Sequence, residues 1–291
     1  MIKIVTDNRY EYPRTLLRGM ASKYISIPIN VIANSELDIK SISILAYLRI
    51  HCGLNDIICF SIPDMVEWCG GKPDRGTNGI NEKYLIALDM LANGGYLTYL
   101  SEKSRSKFMK CKFNTDYYCK ECLEGYSSVY LDEIDKIMGY KKKNTKDNSI
   151  TNVNIFLVFV YLRHKIRRRP NELKPEERAV DKIIERKERL PEAFDSHIDD
   201  IATEIGLSSK TISKIVDILE EELKLIVTDR AFRIRNEDGE FRTLPTIFAN
   251  VYKRESSNLL LTEENYSRNE IEAKAKKIKN YKINKDKRRA S

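Results

Sequence analysis

The residues best equipped for chemistry lie between Ser208 and Arg235, and what they offer is hydrogen-bond donors and positive charge. Ile212, Ile215, Val216 and Leu219 recur at helical spacing and must face a core. That geometry turns Ser209, Lys210, Ser213, Lys214 and Asp217 outward, with Thr211 on the flank. Hydroxyl and ammonium groups gathered near a helix start suit contacts to phosphates and to base edges in a major groove. Arg230, Arg233 and Arg235 follow on a β segment, within reach of phosphates or a minor groove. The expected duplex-DNA set is Ser208, Ser209, Lys210, Thr211, Ser213, Lys214, Arg230, Arg233 and Arg235.

The flanking pattern supplies the elements that would position this set. Ile198, Ile201, Ala202 and Ile205 form the stripe of a preceding short helix. Gly206 breaks it, because glycine takes the left-handed conformation that a helix end favours. Ser208 or Ser209 caps the next helix. Leu225, Ile226 and Val227 then read as a strand, followed by a charged tip and a returning segment with Phe232 and Ile234. Two short helices, a glycine turn and a hairpin describe a helix-turn-helix with a β-wing.

The pattern occurs twice. Ile62, Met65, Val66 and Cys69 repeat the spacing of the first helix, and Gly70 follows as Gly206 does. Ser61 and Ser196 each open with Ser-x-x-Asp, a capping-box-like start. Tyr84, Ala87, Leu88 and Leu91 match the second helix after a turn about eight residues longer. Tyr96 to Leu100, a basic tip and Phe108 to Phe113 supply a hairpin. Four parallel features in one order indicate an internal repeat. The outward side of this second helix differs, carrying Glu82, Leu85, Ile86 and Asp89. That acidic and apolar surface fits a protein interface centred on Leu85 and Ile86 better than phosphates. Lys72, Arg75, Lys103, Arg105 and Lys107 remain candidates for DNA-backbone contacts.

The expected fold class is mainly α with small β-wings (α+β), as two tandem winged helix-turn-helix domains. Residues 1–140 make the first, a dimerisation or partner module containing a strand at Tyr24 to Pro28 and helices at Asp38 to His51 and Val129 to Met138. Residues 141–150 form a polar linker. Residues 151–255 make the second, opening with a helix from Asn154 to Arg169 and interrupted by a charged insertion at 170–195. Residues 256–291 are a charged tail.

The net charge is +8. Between Arg268 and Ser291 stand ten basic and three acidic side chains, so most of the excess belongs to the tail. DNA contact elsewhere must come from a local patch. No apolar run approaches the roughly 20 residues of a membrane helix, and the start does not resemble a signal peptide. A cytoplasmic, non-membrane protein is expected. Cys111, Cys119 and Cys122 could offer three thiolates, but a structural zinc wants four ligands in short-spaced pairs. Buried or incidental thiols are therefore expected, with no metal or cofactor. The histidines (His51, His164, His197) lack a nucleophile or metal spacing, and no phosphate-binding glycine loop is present, so no enzyme activity is expected.

The stretch IATEIGLSSKTISKIVDILEEELKLI resembles the helix-turn-helix core of many bacterial winged-helix proteins, including multiple-antibiotic-resistance-type and gluconate-type regulators. The wider plan is similar to replication initiators of low-GC Gram-positive plasmids and phages, in which an opening near Ile-Pro, here Ile27-Pro28, precedes an initial helix and a winged helix. It also looks like the paired winged-helix arrangement of plasmid initiators. That resemblance implies one domain for dimerisation and one for repeated origin sites, with double-stranded DNA, a second copy and replisome-loading proteins as partners. A transcriptional regulator reads the groove in the same way, and an adaptor built from two protein-interaction modules is the reading of a different class.

Overall fold

The computed structural model describes residues 24–33, 37–53, 55–74, 76, 78–141, 150–166, 193–230, 233–235, 241–243, 245–251, 271 and 274–275. Helices and small antiparallel sheets alternate, an α+β chain. It divides into two compact units, Met1–His164 and Lys165–Ser291.

The first unit opens with β1 (Tyr24–Pro28), paired antiparallel along its length with β5 (Tyr126–Tyr130). Pro28 sits at the strand end, where its missing N–H costs no ladder bond. After α1 (Ile29–Ala33), α2 (Lys40–His51) is buried on nearly every side. β2 (Ile57–Phe60) leads into α3 (Ile62–Trp68), whose first turn is capped by Asp64 N–H donating to Ser61 Oγ at 3.2 Å. α4 (Ile80–Asn93) buries Tyr84, Ala87, Leu88 and Leu91, the stripe that the spacing predicts. β3 (Leu97–Tyr99) and β4 (Met109–Phe113) return beside β2, in the order β2-β4-β3.

α5 (Thr115–Glu124) follows, which the sequence reading did not anticipate, and buries Tyr118, Cys119 and Cys122. Val129 and Tyr130 belong to β5 rather than to the helix expected there; α6 covers Leu131–Met138. α7 (Asn152–Lys165) was expected to open the second domain, yet nearly all of it lies in the first unit. Asn152 Nδ2 donates to Met138 O at 2.7 Å, and Arg163 Nη2 donates to Glu133 Oε1 at 2.5 Å. Hydrophobic periodicity identifies a buried helix but not the core that buries it. The boundary at His164 and Lys165 therefore replaces the one drawn through the polar segment 141–150, of which 142–149 lie outside the described residues.

The second unit contains a three-stranded sheet and helix pair in the same order as residues 57–113 of the first. β6 (Phe194–Ser196) precedes α8 (Ile198–Ile205), and α9 (Ser209–Asp217) runs on into a π-helical turn at Ile218–Glu222. β7 (Ile226–Asp229) and β10 (Thr246–Asn250) complete a sheet of order β6-β10-β7, all antiparallel. Strand, two helices and two strands thus recur with the third strand central in both units. Both first helices end in a left-handed glycine, Gly70 at φ +75° and Gly206 at φ +78°. The π turn lets Leu223 N–H reach Ile218 O at 2.9 Å, and Ile218 and Leu219 are both buried.

The wing of this unit differs from expectation. β7 does not pair with the segment at Ile234; its partner is β10. β8 (Arg233–Arg235) pairs instead with β9 (Phe241–Thr243). Moving from Asp229↔Ile247 to Arg233↔Thr243 advances one strand and retreats the other by equal steps. The two ladders, each antiparallel, therefore share one register. The short hairpin was mislocated because the apolar pairing partner lies beyond the tip in sequence.

Three residues of the tail, Ile271, Lys274 and Ala275, are packed onto this unit. Ile271 is buried with Ala193, Val227, Ile247 and Ala249, Ala275 packs against them, and Lys274 Nζ lies 2.7 Å from Asp195. Ile271 and Ala275, four residues apart, place apolar side chains against this core inside a charged block.

Candidate nucleic-acid interface

In the second unit Ser208 is the N-cap of α9. Its Oγ accepts the Thr211 N–H at 3.1 Å and lies 2.8 Å from Thr211 Oγ1. Thr211 is buried, so the flank contact expected of it is corrected: it supports the cap from inside. Ser209 is partly exposed and its hydroxyl donates to Asp199, which occupies one carboxylate at the entrance to the helix. Lys210 is exposed, and Ser213 and Lys214 are partly so. The outward side thus presents an ammonium group and hydroxyls at the N-terminal turns of a helix, where backbone N–H groups also point outward.

Arg230 does not project freely. It is bonded to Asp217 and lies 3.5 Å from Glu220. Burial alone would lower its pKa, but the two carboxylates more than offset that and hold it above the ordinary arginine value. Its first role is to neutralise the C-terminal part of the same helix, a correction to its assignment as a free wing cation. Arg233 and Arg235 stand on β8, two residues apart. Arg242, opposite Ile234 on the paired strand β9, was missed, because β9 was not recognised as a strand.

The first unit handles its corresponding helix differently. The loop between β3 and β4 lies along α4: Lys103 Nζ is 2.7 Å from Asp89, and Arg105 Nη1 is 2.9 Å from Glu82. Tyr99 hydroxyl donates to Asp89 at 2.7 Å, and Lys103 sits 4.9 Å over the Tyr99 ring. Asn81, fully buried, donates to Arg105 O at 3.0 Å and accepts Asp74 N–H at 3.2 Å, tying helix start, long turn and wing together. Lys103 and Arg105 therefore serve the α4 carboxylates rather than standing free for a phosphate backbone. Lys72 and Lys107 are exposed, and Arg75 lies outside the described residues. Leu85 is half-buried, while Ile86 is 47% exposed between the two strapped carboxylates.

The cysteines divide between two places. Cys111 is buried under the β2-β4-β3 sheet, and Cys119 and Cys122 are buried on α5. Burial, with help from neighbouring thiols, pushes the Cys111 and Cys122 thiols up to about 12. Thiols so raised stay protonated at neutral pH and are poor ligands and nucleophiles. Among the described residues, no three His, Cys, Asp or Glu side chains group as a metal site. His51 Nδ1 lies 2.8 Å from Tyr47 O and its ring stacks on Tyr47. No helix among the described residues is long and apolar enough to cross a membrane.

The chain matches no protein-family model, no curated protein and no solved structure.

Proposed function

We propose that the chain is a double-stranded DNA-binding protein with two tandem winged helix-turn-helix domains, acting as a plasmid or phage replication initiator. The observation that carries this reading is the repeated strand-helix-helix-strand-strand order with the third strand central, combined with the unequal surfaces of the two second helices. α9 offers Lys210, Ser209, Ser213 and Lys214 at its N-terminal turns, the part of a recognition helix that reaches base edges. Arg233, Arg235 and Arg242 stand on a two-stranded ribbon, a shape that a DNA groove admits.

α4 has its carboxylates held by Lys103 and Arg105 and leaves Ile86 exposed, which suits contact with a second copy or a loading protein rather than with phosphates. This division of labour favours an initiator that dimerises through one domain and reads iterated sites through the other. A transcriptional regulator would use the same groove contacts.

Duplex binding measured against salt tests the reading. The full chain should bind a random-sequence duplex with a steep salt dependence, and Lys210→Glu with Lys214→Glu should abolish it. Undiminished binding by that variant would overturn the assignment to α9. Selection of bound duplexes from a random pool should then return iterated or paired sites, whereas a lone palindromic operator would favour the regulator.

A further inference from the structure

The outer face of the β2-β4-β3 sheet has no part in the duplex reading, and its composition is unusual for a solvated sheet. β4 alternates: Met109, Cys111 and Phe113 point into the core, and Lys110 and Lys112 point out. Phe108, one step before the strand, is 74% exposed. Leu100 N–H donates to Lys110 O at 2.7 Å, which extends the β3–β4 ladder and places Leu100, 49% exposed, beside Lys110. Cys59 stands opposite Lys110 and Thr98 opposite Lys112, both exposed. No carboxylate occupies an outward position on any of the three strands. Among the described residues, neither Lys110 nor Lys112 has an ion-pair partner.

We propose that this sheet face binds single-stranded nucleic acid, with Phe108 as a stacking platform and Lys110 and Lys112 on the phosphates. An exposed aromatic ring beside cations on a flat surface is what an unstacked strand can use, since every base has a face to stack. Duplex DNA fits poorly. The major groove is about 12 Å wide and admits a helix or a two-stranded ribbon. Three strands spaced about 4.8 Å apart, with their side chains, are broader than that. Lys110 and Lys112, two residues apart, are separated by roughly 6.8 Å along the strand and face one way, so they can follow an extended backbone. The inference adds a second nucleic-acid surface and does not rest on the duplex reading. For a protein that opens DNA after binding it, such a surface would hold one separated strand.

The test uses the full chain, a fluorescein-labelled oligo(dT) and a labelled duplex measured side by side by anisotropy. Phe108→Ala should weaken oligo(dT) binding about 5- to 150-fold, the loss expected for one stacked base. Lys110→Gln with Lys112→Gln should weaken it further and flatten its salt dependence, with duplex binding and thermal melting unchanged. All three side chains are outward, so the variants should fold. No binding of oligo(dT) by the wild type, or equal binding by wild type and variants, overturns the proposal. A parallel loss of duplex and oligo(dT) binding overturns it too, by making the face a general phosphate contact. If sedimentation shows instead that the variants change oligomeric state while oligo(dT) binding persists, the face belongs to a second copy. The duplex reading fails separately, through Lys210→Glu with Lys214→Glu.

Discussion

The ion pair between Glu133 and Arg163 should be the most sensitive single interaction in the first unit. Both side chains are almost fully enclosed, at 3% and 1% exposure. Glu133 accepts Arg163 Nη2 on one oxygen and the Tyr130 N–H, at 2.9 Å, on the other. Arg163 Nε and Nη1 have no hydrogen-bond partner among the described residues, and the guanidinium lies 4.9 Å over the Phe159 ring. Glu133→Met removes the one carboxylate paired with the buried Arg163 among the described residues and leaves the volume nearly unchanged. Breaking a buried pair from one side costs about 3–5 kcal/mol. The unit spans 164 residues, counted from Met1 to His164. At about 2.1 cal/mol/K of unfolding entropy per residue, that loss lowers its melting temperature by roughly 9–15 °C. Trp68, the single tryptophan, packs against Tyr47 in this unit, so its fluorescence reports the transition. Replacing both partners, Glu133→Met with Arg163→Met, should return the midpoint to within about 3 °C of wild type, because no charge is then stranded. A single-variant shift below about 3 °C would show that Arg163 reaches water and would refute the reasoning.

Two further outcomes follow from the same structure. Truncating residues 276–291 keeps Ile271 and Ala275 in the core of the second unit and removes eight basic side chains and one acid. It should weaken duplex binding to all sequences alike and reduce the salt slope, as titration at several salt concentrations would reveal; a changed sequence preference would mean the tail reads bases. Alkaline pH should destabilise the first unit. Burial pushes the Cys69, Cys111 and Cys122 thiols from the ordinary 9.0 up to about 12. The unfolded chain releases these protons first, so stability is whole below about pH 9 and falls as pH rises toward 12. Urea midpoints followed by Trp68 should therefore drop between about pH 8 and about pH 10.5, and equal midpoints would refute the burial argument.

Much of this arrangement was legible in the residues because it is local. The stripes of α4 and of the α8–α9 pair, the left-handed glycines at 70 and 206, and the caps at Ser61 and Ser208 depend on neighbours within one or two turns. Other elements were not legible. In α5, Cys119 and Cys122 look like a metal pair in sequence, yet with Thr115 and Tyr118 they form a buried helical face. In α9, Thr211 sits next to the outward set but its cap bond turns it inward.

The sequence by itself determined the two helix pairs and their repetition, since periodicity, glycine and serine act through adjacent turns. Only the tertiary structure decided which charges are spent inside the fold. Lys103 and Arg105 are strapped to the α4 carboxylates, and Arg230 to Asp217, while Lys110 and Lys112 face solvent with no ion-pair partner among the described residues. A charge is satisfied by whatever the chain brings within a few ångströms. That distance depends on strand register and on long-range packing, including the β7–β10 pairing and the helix that joins the first core, and these are set by residues far apart in sequence.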